Sequence, residues 1–398
     1  MLAGRSDSEV LVVTHKYPPS IGGMQKQSYE LIKNLQSYTR VHKIIFSGKY
    51  PKALFFISVV PWCLFKVWSN PRIAVIHAND GLMALFLTPL LWLTRKKMAA
   101  TVHGLDVIFK STLYQFWLRK YLSKFAWVIA VSDETRLECI KAGIPSARAH
   151  YIPNGFEPLP SPQKNEAIYS QFKERCETDL SGKSLIVSIG RPIKRKGFVW
   201  FIKNVLTQTQ TPVFYVIAGP REKNIKLILW FSKLLPASVF RKLAHLFGFG
   251  LEALELDQLM IEPTYRDKVL FTGKLPQAEL DQLLLQADLF VMPNLHVDGD
   301  YEGFGLVALE AAISGLVCLA ARVDGIPSAV KDNFNGLLLP SGDAEAWGMT
   351  VDKLLADKEA LKNLGQLFKS NTEKEMFTWD SMAQAYFELF HKPAPDSL

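Results

Sequence analysis

The chain has 398 residues, a length that accommodates two domains with a core each and excludes a peptide-sized or disulfide-stapled fold. Hydrophobic residues make up 48% and charged residues 21%, which excludes an intrinsically disordered protein, and the mean hydropathy of +0.08 is below that of a multi-span membrane protein. Four separated cysteines without a CxxC pair argue against a zinc site or disulfide framework and indicate a reducing compartment.

Apolar β-rich runs alternate with segments of helical period along most of the chain. The first set of runs, which predicts strands of one parallel sheet, lies at 9–15, 43–46, 73–78, 98–104 and 127–132. A proline-rich polar segment at 153–166 is typical of a connection between domains. A second set of predicted strands follows at 184–190, 213–219, 268–273, 289–293 and 316–321. We therefore expect an α/β protein with two doubly wound Rossmann-like domains, at 1–165 and 182–376, whose ligands bind beyond the carboxyl ends of the strands.

The net charge of +8 is concentrated in the first half of the chain. Residues 31–130 contain 14 Lys and Arg against two acids, Asp80 and Asp106, and are also rich in Phe, Trp and Tyr. In a helix, Trp117 and Tyr121 would share one side, flanked by lysines. Cations and aromatic rings together suit an anionic lipid interface, so we expect the first domain to attach to the surface of a membrane.

Three other interpretations of this basic aromatic stretch stay open. Nucleic acid would attract the same cations, but the sequence has no zinc-finger, RNA-recognition or basic-zipper signature, so we expect no nucleic-acid partner. The apolar runs at 53–65 and 82–93 suggest a transmembrane hairpin, although each is shorter than the roughly 20 residues that a span needs. The third interpretation is a set of ordinary core helices with a basic exterior.

Two glycine-containing loops follow predicted strands. Gly22 and Gly23 lie where a helix begins after the first strand, and paired glycines there let the backbone approach a phosphate, although a simple turn into a helix has the same pattern. A second loop, between Gly190 and Gly197, carries the cations Arg191, Lys194, Arg195 and Lys196. At a cleft these cations would clamp a diphosphate, whereas on an open surface they would form a solvated charged loop.

A glycine-rich segment near residue 300 places Glu302 and Glu310 on either side of the start of a predicted helix. The backbone N–H groups of 303–306 would point at a bound anion or hydroxyl, and carboxylates accept hydrogen bonds from adjacent sugar hydroxyls. Glu310, inside an otherwise apolar helix, would be costly to bury without such a partner. The preceding Asp298-Gly299-Asp300 has the form of a metal-binding pair, but nearby cations already supply the charge compensation, and we expect no metal.

Several motifs occur together in one order: YPPSIGG, VSDETRLECIKAGIP, IPNGFEP, GRPIKRKG, VIAG, LFTGKLP, EGFGLVALEA and NGLLLPSGD. In order and spacing they resemble a large family of retaining GT-B glycosyltransferases that includes sucrose synthases, bacterial lipopolysaccharide glycosyltransferases and phosphatidylinositol mannosyltransferases. The resemblance runs nearly end to end. It implies transfer of a hexose from a nucleotide-diphosphate sugar to an acceptor hydroxyl, with retention at the anomeric carbon. It also implies that a last helix, within 377–398, crosses back to the first domain.

The resemblance implies that the second domain holds the diphosphate of the donor. Arg191 and Lys196, which follow Gly190, match the family positions that grip the diphosphate. Gly23, preceded by Gly22, matches the N-terminal loop that approaches the diphosphate when the cleft closes. We expect no cofactor beyond the donor substrate itself.

Other matched positions imply contacts to the rest of the donor. Glu310 matches the residue that bonds the ribose hydroxyls, and the backbone near Lys274 and Leu275 matches the edge that meets the base. Glu302 and His103 match residues beside the transferred sugar, although a lone histidine after a strand is more often structural. The amides that match sugar-binding groups are those of Phe304, Gly305 and Leu306.

The chain also departs from the family pattern. A frequent Gly-Gly-x-Pro-Glu appears as Asp324-Gly325-Ile326-Pro327-Ser328, which loses one glycine and the acid. This departure supports the alternative of a non-catalytic nucleotide-sugar-binding or scaffold protein, and a nucleotide-sugar epimerase of the same fold is a further alternative. The segment 221–260 is longer than the usual connection and suggests a second membrane contact or a partner surface.

The basic aromatic first domain suggests a lipid-linked acceptor, such as a polyprenyl-diphosphate oligosaccharide or a glycolipid, in the synthesis of cell-envelope polysaccharide. GDP-mannose is the first expectation for the donor, with UDP-hexoses as the alternative. The first ten residues are polar and do not have the form of a signal peptide. We therefore expect a cytoplasmic protein that lies peripherally on the inner face of the cell membrane.

Overall fold

The fold consists of two parallel β-sheets, each covered by helices on both faces. The computed structural model describes residues 8–20, 22–157, 164–175, 179–220, 251–375, 378–393 and 395. Within these residues both sheets have six strands. The arrangement confirms the prediction of an α/β protein built from two doubly wound Rossmann-like halves.

The first sheet has the strand order β2-β1-β3-β4-β5-β6. Its strands are β1 (Glu9–Thr14), β2 (Val41–Ile45), β3 (Ile73–Ala78), β4 (Lys97–Val102), β5 (Trp127–Ala130) and β6 (Ala149–Tyr151). Its helices are α1 (Gly23–Leu35), α2 (Lys52–Ser69), α3 (Gly81–Leu87), α4 (Leu90–Leu93), α5 (Leu105–Ile108), α6 (Thr112–Lys120) and α7 (Asp133–Lys141). The sequence did not predict β6, because three residues are too few to display an apolar period.

The second sheet has the strand order β12-β11-β10-β7-β8-β9. Its strands are β7 (Ser184–Ile189), β8 (Val213–Ala218), β9 (Val269–Gly273), β10 (Leu289–Met292), β11 (Val317–Ala321) and β12 (Leu337–Leu339). Its helices are α8 (Glu166–Arg175), α9 (Phe198–Asn204), α10 (Leu251–Ile261), α11 (Gln277–Gln286), α12 (Leu306–Ile313), α13 (Ala344–Leu355) and α14 (Lys358–Glu375). The short β12 was not predicted, for the same reason as β6.

The long segment at 221–260 is described only in its last part. Residues 221–250 lie outside the described residues. Helix α10, which follows them, is buried through Leu256 and Leu259 in the core of the second half. The predicted membrane or partner contact of this segment stays a prediction, and the described part serves the core.

Strand β1 shows how helices on both faces of a sheet bury every residue of a strand. Leu11 and Val13 belong to the apolar cluster on one face, and Val10 and Val12 belong to the cluster on the other. All four are at most 2% exposed. A strand buried on both faces reads as a continuous apolar run, which is the pattern that the sequence displays at β1.

The C-terminal helix α15 (Trp379–His391) packs on the first sheet. Met382 and Tyr386 are fully buried there, beside residues of α1 and β5. The Tyr386 hydroxyl lies 2.9 Å from the Thr101 hydroxyl of β4. The end of the chain therefore completes one face of the first sheet.

Trp117 and Tyr121 both pack against the core of the first half, and Trp117 is the more buried of the two. Trp117 is 6% exposed, and its indole N–H donates to the Thr88 hydroxyl at 2.8 Å. Helix α6 ends at Lys120, so Tyr121 is the residue that caps its C-terminus. The Lys120 ammonium lies 5.2 Å from the Phe116 ring centroid and 5.4 Å from that of Tyr121. The association of cations with rings is present, but Phe116 takes the place expected for Trp117.

Helix α2 is, among the described residues, the one helix whose length and composition suffice for a membrane span. Its 18 residues have a mean hydropathy of 1.4, and 22% of them are buried. The buried positions Phe55, Val59, Cys63 and Val67 recur every four residues and join the core of the first half. One stripe of α2 therefore packs against the sheet, and the remaining apolar surface faces outward.

Replacing Tyr386 by Ala should lower the free energy of unfolding by about 3–5 kcal/mol, the usual cost of truncating a buried aromatic side chain. Tyr386 is fully buried, so the truncation leaves a cavity and removes the hydrogen bond to the Thr101 hydroxyl. Urea titration followed by circular dichroism measures the change. The exposed Met349→Ala is the control, with an expected change within about 0.5 kcal/mol. Equal stability of the two variants would contradict the packing of α15 on the first sheet.

Candidate active site

The loops that follow β7 and β10 meet at one edge of the second sheet. The two strands are neighbours, so their carboxyl ends lie side by side. The backbone N–H of Leu295 donates to the Arg195 carbonyl at 2.9 Å. Gly197 has a φ of 69°, and a Cβ atom there would lie 1.8 Å from the Pro293 carbonyl oxygen. Only glycine permits this approach, which sets the distance between the loops.

Glu302 lies at the centre of a cluster of buried charges. Its Oε2 atom is 2.6 Å from Lys196 Nζ and 3.2 Å from Arg195 Nη1. It also accepts a 3.1 Å hydrogen bond from the Asn294 side-chain amide. The Glu302 and Lys196 side chains are only 14% and 11% exposed. Burial alone would raise the pKa of Glu302, but Lys196 and Arg195 hold that pKa at about 2, so the carboxylate is ionised at neutral pH.

The same burial acts on Lys196 in the opposite sense. It lowers the pKa of the Lys196 ammonium, and the attraction of Glu302 opposes this effect. Repulsion by Arg195 and Arg191 lowers the pKa of Lys196 further. The cluster therefore combines the cations of this loop with two carboxylates, Glu302 and Asp300, and keeps an excess of positive charge that suits a bound anion.

The structure brings together Lys196 and Glu302, two predicted site residues that are far apart in sequence. Arg191 is exposed at the rim of the same loop. Sequence reasoning did not assign Arg195 and Asn294 to the site, although both bind the Glu302 carboxylate. The only sequence signal for Arg195 was its place in the cationic loop, and nothing distinguished Asn294 from an ordinary loop residue.

The start of helix α12 presents free backbone N–H groups next to Glu302. Gly305 precedes the helix with a φ of 99°. In the part of the chain that the structure describes, no group accepts a hydrogen bond from the amides of Phe304, Gly305 or Leu306. The Phe304 side chain is 3% exposed and anchors this turn in a small core with Val131 of the first half. These N–H groups can donate hydrogen bonds to an anion or to the oxygen of a sugar hydroxyl.

Helix α1 of the first half faces the start of α12 across the cleft. A Cβ atom on Gly23 would lie 3.6 Å from Leu306 Cδ1, so the N-termini of the two helices are close together. Gly22 precedes α1 with a φ of 155°. The Lys26 ammonium of α1 donates to Glu310 Oε1 at 2.6 Å, and both side chains are partly exposed. The Glu310 carboxylate is thus directed into the cleft, where it accepts a hydrogen bond from the Lys26 ammonium.

Lys274 and Leu275 lie to one side of this cluster. They follow β9, which is separated from β7 by β8. Lys274 is exposed and Leu275 is 8% exposed. The described residues form no bond between this pair and the charged cluster, so its predicted contact with the base stays a prediction. Gly190 lies nearer, since a Cβ atom there would be 3.2 Å from Lys196 Cε.

His103 follows β4 in the first half, and its backbone lies against Gly303 of the second half. Its Nε2 atom lies 3.1 Å from the Asn79 carbonyl oxygen, which can only accept, so Nε2 carries the proton and Nδ1 is an acceptor. Its backbone N–H donates to Asp106 Oδ2 at 2.9 Å. Burial raises the pKa of Asp106, although its contact with His103 opposes the rise. Asp106 therefore fixes the loop that presents the His103 ring.

The two halves meet backbone to backbone beside His103. Gly104 has a φ of 94°, and a Cβ atom there would be 2.3 Å from the Tyr301 ring. A Cβ atom on Gly303 would lie 2.2 Å from the His103 carbonyl oxygen. The cleft is closed at this point because both residues are glycine.

The Asp298-Gly299-Asp300 segment is occupied by ion pairs. Asp298 lies 2.8 Å from the Lys110 ammonium of the first half, and Asp300 lies 3.1 Å from Arg195 Nε. Within the described ranges no group of three or more His, Cys, Asp or Glu side chains is arranged to hold a metal ion. These carboxylates serve as contacts between loops and between halves.

Comparison with protein families assigns both halves of the chain. Residues 171–370 match the family described as Glycosyl transferases group 1, and residues 4–158 match the one described as Glycosyltransferase Family 4. The chain belongs to the group 1 glycosyltransferases. The resemblance seen in its motifs is thereby confirmed.

Curated relatives of this glycosyltransferase cover nearly its full length. The N-acetyl-alpha-D-glucosaminyl L-malate synthase of Bacillus anthracis is 23% identical over 94% of both chains. The GDP-mannose-dependent alpha-(1-6)-phosphatidylinositol monomannoside mannosyltransferase of Mycobacterium tuberculosis is also 23% identical, over 94% of this chain and 96% of the relative.

Solved structures of similar shape confirm the GT-B fold. Anabaena HepE in complex with UDP and glucose matches 96% of this chain and 98% of its own, with a TM-score of 0.71 and 17% identity. The sucrose-phosphate synthase of Thermosynechococcus elongatus matches the same shares with a TM-score of 0.72 and 18% identity. At these identities the likeness concerns the fold alone.

Replacing Gly104 by Ala should hold the two halves of this glycosyltransferase apart, because the new Cβ atom would overlap the Tyr301 ring. We expect a larger radius of gyration in small-angle X-ray scattering and a loss of sugar transfer of about tenfold or more. Gly48→Ala is a matched control, since Gly48 also has a positive φ but has no atom within 4 Å of the place where the new Cβ atom would lie. Identical scattering from the two variants would contradict the closed contact at Gly104.

Proposed function

We propose that the chain transfers a hexose from a nucleotide-diphosphate sugar to the hydroxyl of a lipid-linked glycan or glycolipid, with retention at the anomeric carbon. The observation that carries the proposal is the cluster of Lys196, Arg195 and Glu302 beside two helix N-termini at one cleft. Such a cluster suits a diphosphate and a sugar held side by side. The product would enter cell-envelope polysaccharide synthesis.

The diphosphate is the leaving group, and its negative charge grows as the bond to the sugar breaks. Lys196 and Arg191 stabilise this charge, and the free N–H groups at the starts of α1 and α12 add fixed dipoles. Lys196 is held in place by Glu302, so little reorganisation is needed when the charge develops. This arrangement makes a metal ion unnecessary in the proposed reaction.

Glu302 orients the sugar in this reaction and does not attack it. A carboxylate with a pKa of about 2, bound to Lys196 and Arg195, is a weak nucleophile. Its hydrogen-bonding capacity suits sugar hydroxyls, and His103 Nδ1 accepts from a further hydroxyl. Retention then follows from attack by the acceptor on the face that the diphosphate leaves, without a covalent enzyme intermediate.

Glu310 binds the ribose hydroxyls of the donor, and the backbone near Lys274 and Leu275 meets the base. The Glu310 carboxylate forms an ion pair with Lys26 across the cleft. When the donor binds, its ribose hydroxyls either replace the Lys26 ammonium on this carboxylate or bind beside it. Names of relatives support both donor classes, because one relative is GDP-mannose-dependent and one solved neighbour binds UDP. GDP-mannose and a UDP-hexose are therefore the donors to test first.

Replacing Glu310 by Ala should abolish sugar transfer, because the ribose loses its acceptor. The assay incubates labelled GDP-mannose or UDP-hexoses with a polyprenyl-diphosphate oligosaccharide and determines the anomeric configuration of the product by NMR. Lys26→Met is the matched control: it breaks the same ion pair but leaves the carboxylate, so it should keep most of the activity. Unchanged transfer by Glu310→Ala would refute the site. If the wild type epimerises the donor and transfers no sugar, the protein is an epimerase. If the wild type binds the donor without converting it, the protein is a non-catalytic binding or scaffold protein.

The surface of the first half supports a peripheral position on the inner face of the cell membrane. Of 18 exposed large apolar side chains among the described residues, 13 lie between residues 54 and 116. They belong to, or flank, α2 to α6. Ring contacts join these helices, with Phe56 stacked on Phe86 at 4.5 Å and Trp92 against Tyr121 at 5.5 Å. Such a continuous apolar face is typical of an interface with a partner or a membrane.

The charges around this face favour an anionic bilayer as the partner. Lys120 and Lys124 lie over the Tyr121 ring, and Lys52 lies over Phe56. The only acids of the stretch 31–130 are Asp80, which is buried, and Asp106, which binds loop amides. Cations beside aromatic rings bind anionic headgroups while the rings enter the interface. Because one stripe of α2 is packed in the core, this helix lies along the bilayer in our proposal and does not cross it.

Mixing the protein with vesicles tests this surface. We expect it to sediment with phosphatidylglycerol vesicles, to be released by high salt, and to stay in solution with phosphatidylcholine vesicles. The double change Phe65→Asp and Trp68→Asp should weaken sedimentation about tenfold or more, because both side chains are about 70% exposed on α2 (67% and 71%). Met349→Asp, on the second half, is the control and should have no effect. Resistance to salt and alkaline extraction would favour a membrane span, and equal, negligible sedimentation would refute the membrane proposal.

A further inference from the structure

The loop after β11 forms hydrogen bonds with Glu302 at its start and with the first half of the molecule at its end. We call residues 324–328 the closure loop. It contains the segment in which the sequence departs from the family pattern, with Ser328 where an acid is frequent. It begins at Asp324, which has a φ of 52°, and ends in a short 3₁₀ turn, Ile326–Ser328.

The start of the closure loop holds the backbone of Glu302 on both sides. The Glu302 N–H donates to Asp324 Oδ2 at 3.1 Å. The Gly325 N–H donates to the Glu302 carbonyl at 2.9 Å. A Cβ atom on Gly325 would lie 2.2 Å from the Gly303 carbonyl oxygen, so the two loops are in direct contact. The position of the Glu302 carboxylate therefore depends on the position of this loop.

The end of the closure loop binds helix α7 of the first half. The Ser328 hydroxyl accepts a 2.9 Å hydrogen bond from the Asp133 N–H and donates to Glu134 Oε2 at 2.6 Å. Asp133 is the first residue of α7, and the cap residue Ser132 binds the N–H of Thr135. The Asp133 N–H is one of the helix groups that lack an internal partner, and here it finds one across the cleft.

We propose that Ser328 and Glu134 are a positioning pair that couples the backbone of Glu302 to helix α7 when the cleft is closed; this inference rests on the proposed function. Where the family pattern has an acid, this chain has a serine whose hydroxyl binds an acid of the opposite half, Glu134. A hydroxyl bound to a carboxylate forms a strong, charge-assisted bond, which makes the contact selective for the closed state. The serine is thus part of the machinery that aligns the donor while water is excluded.

The coupling predicts a specific kinetic effect. Without the pair, Lys196 and Arg191 still bind the diphosphate, so the KM for the donor should change by less than about threefold. The sugar is held less well and the cleft closes less completely, so transfer should slow by about tenfold, the effect of losing about one charge-assisted hydrogen bond. The share of donor lost to hydrolysis should rise, because water reaches the sugar.

The experiment measures transfer and hydrolysis of one labelled donor by Ser328→Ala, Glu134→Ala and the double variant. Both single variants should raise the hydrolysed share to a similar extent, and the double variant should add little, as expected for partners. Ser328→Thr keeps the hydroxyl, so the fraction of donor that it hydrolyses should equal that of the wild type. Thr207→Ala, which removes a hydroxyl bonded to the Lys203 carbonyl far from the cleft, should leave it unchanged. Thermal unfolding checks that each variant is folded.

A hydrolysed share equal to that of the wild type in Ser328→Ala and Glu134→Ala would overturn the proposal. If the wild type transfers no sugar, the proposed function fails, and scattering decides the inference instead. In that case UDP and GDP are added to the wild type and to Ser328→Ala. If the nucleotide reduces the radius of gyration of the wild type more than that of Ser328→Ala, the positioning pair is supported. If the two radii of gyration are equal, it is refuted.

Discussion

The buried carboxylate of Glu302 is the constraint on which the donor site depends. A charge that is only 14% exposed is tolerated in a protein interior when opposite charges and hydrogen bonds compensate it. Lys196, Arg195 and Asn294 supply this compensation on one oxygen atom. These partners come from loops after adjacent strands, and Gly197 allows the loops to approach. The order of strands in the second sheet is therefore what permits the cluster to exist.

The first half contributes residues to the candidate site that the loops of the second half form. Gly104 and Gly303 let the halves touch beside His103, and Lys26 reaches Glu310 from α1. The starts of α1 and α12 lie close together, because Gly23 is next to the Leu306 side chain. None of these groups forms the site alone, because the helix dipoles and cations act on a ligand only where they converge. Closure of the cleft is thus a part of the site's chemistry in the proposed reaction.

The two halves differ in surface as well as in role. Exposed aromatic and aliphatic side chains concentrate on α2 to α6, in a stretch of the chain where cations far outnumber acids. The exposed apolar side chains include Leu105, the first residue of α5, and Phe109, which follows this helix, and both come shortly after His103 in the chain. In our proposal a lipid acceptor held on this face would present its hydroxyl at the mouth of the cleft. The second half has no comparable apolar concentration among its described residues.

The sequence by itself determined the two-sheet architecture, because strands buried on both faces leave continuous apolar runs, and it identified the loops after β7 and β10 from their glycines and charges. Strands of three residues, such as β6 and β12, are too short to show an apolar period, so the sequence does not predict them. Only the tertiary structure decided that Arg195 is bonded to Glu302 while Arg191 stays exposed, that Trp117 turns into the core, and that Ser328 reaches Glu134 in the opposite half. The physical reason is that periodicity records burial within one element, whereas a contact between distant loops depends on how the elements are placed in space.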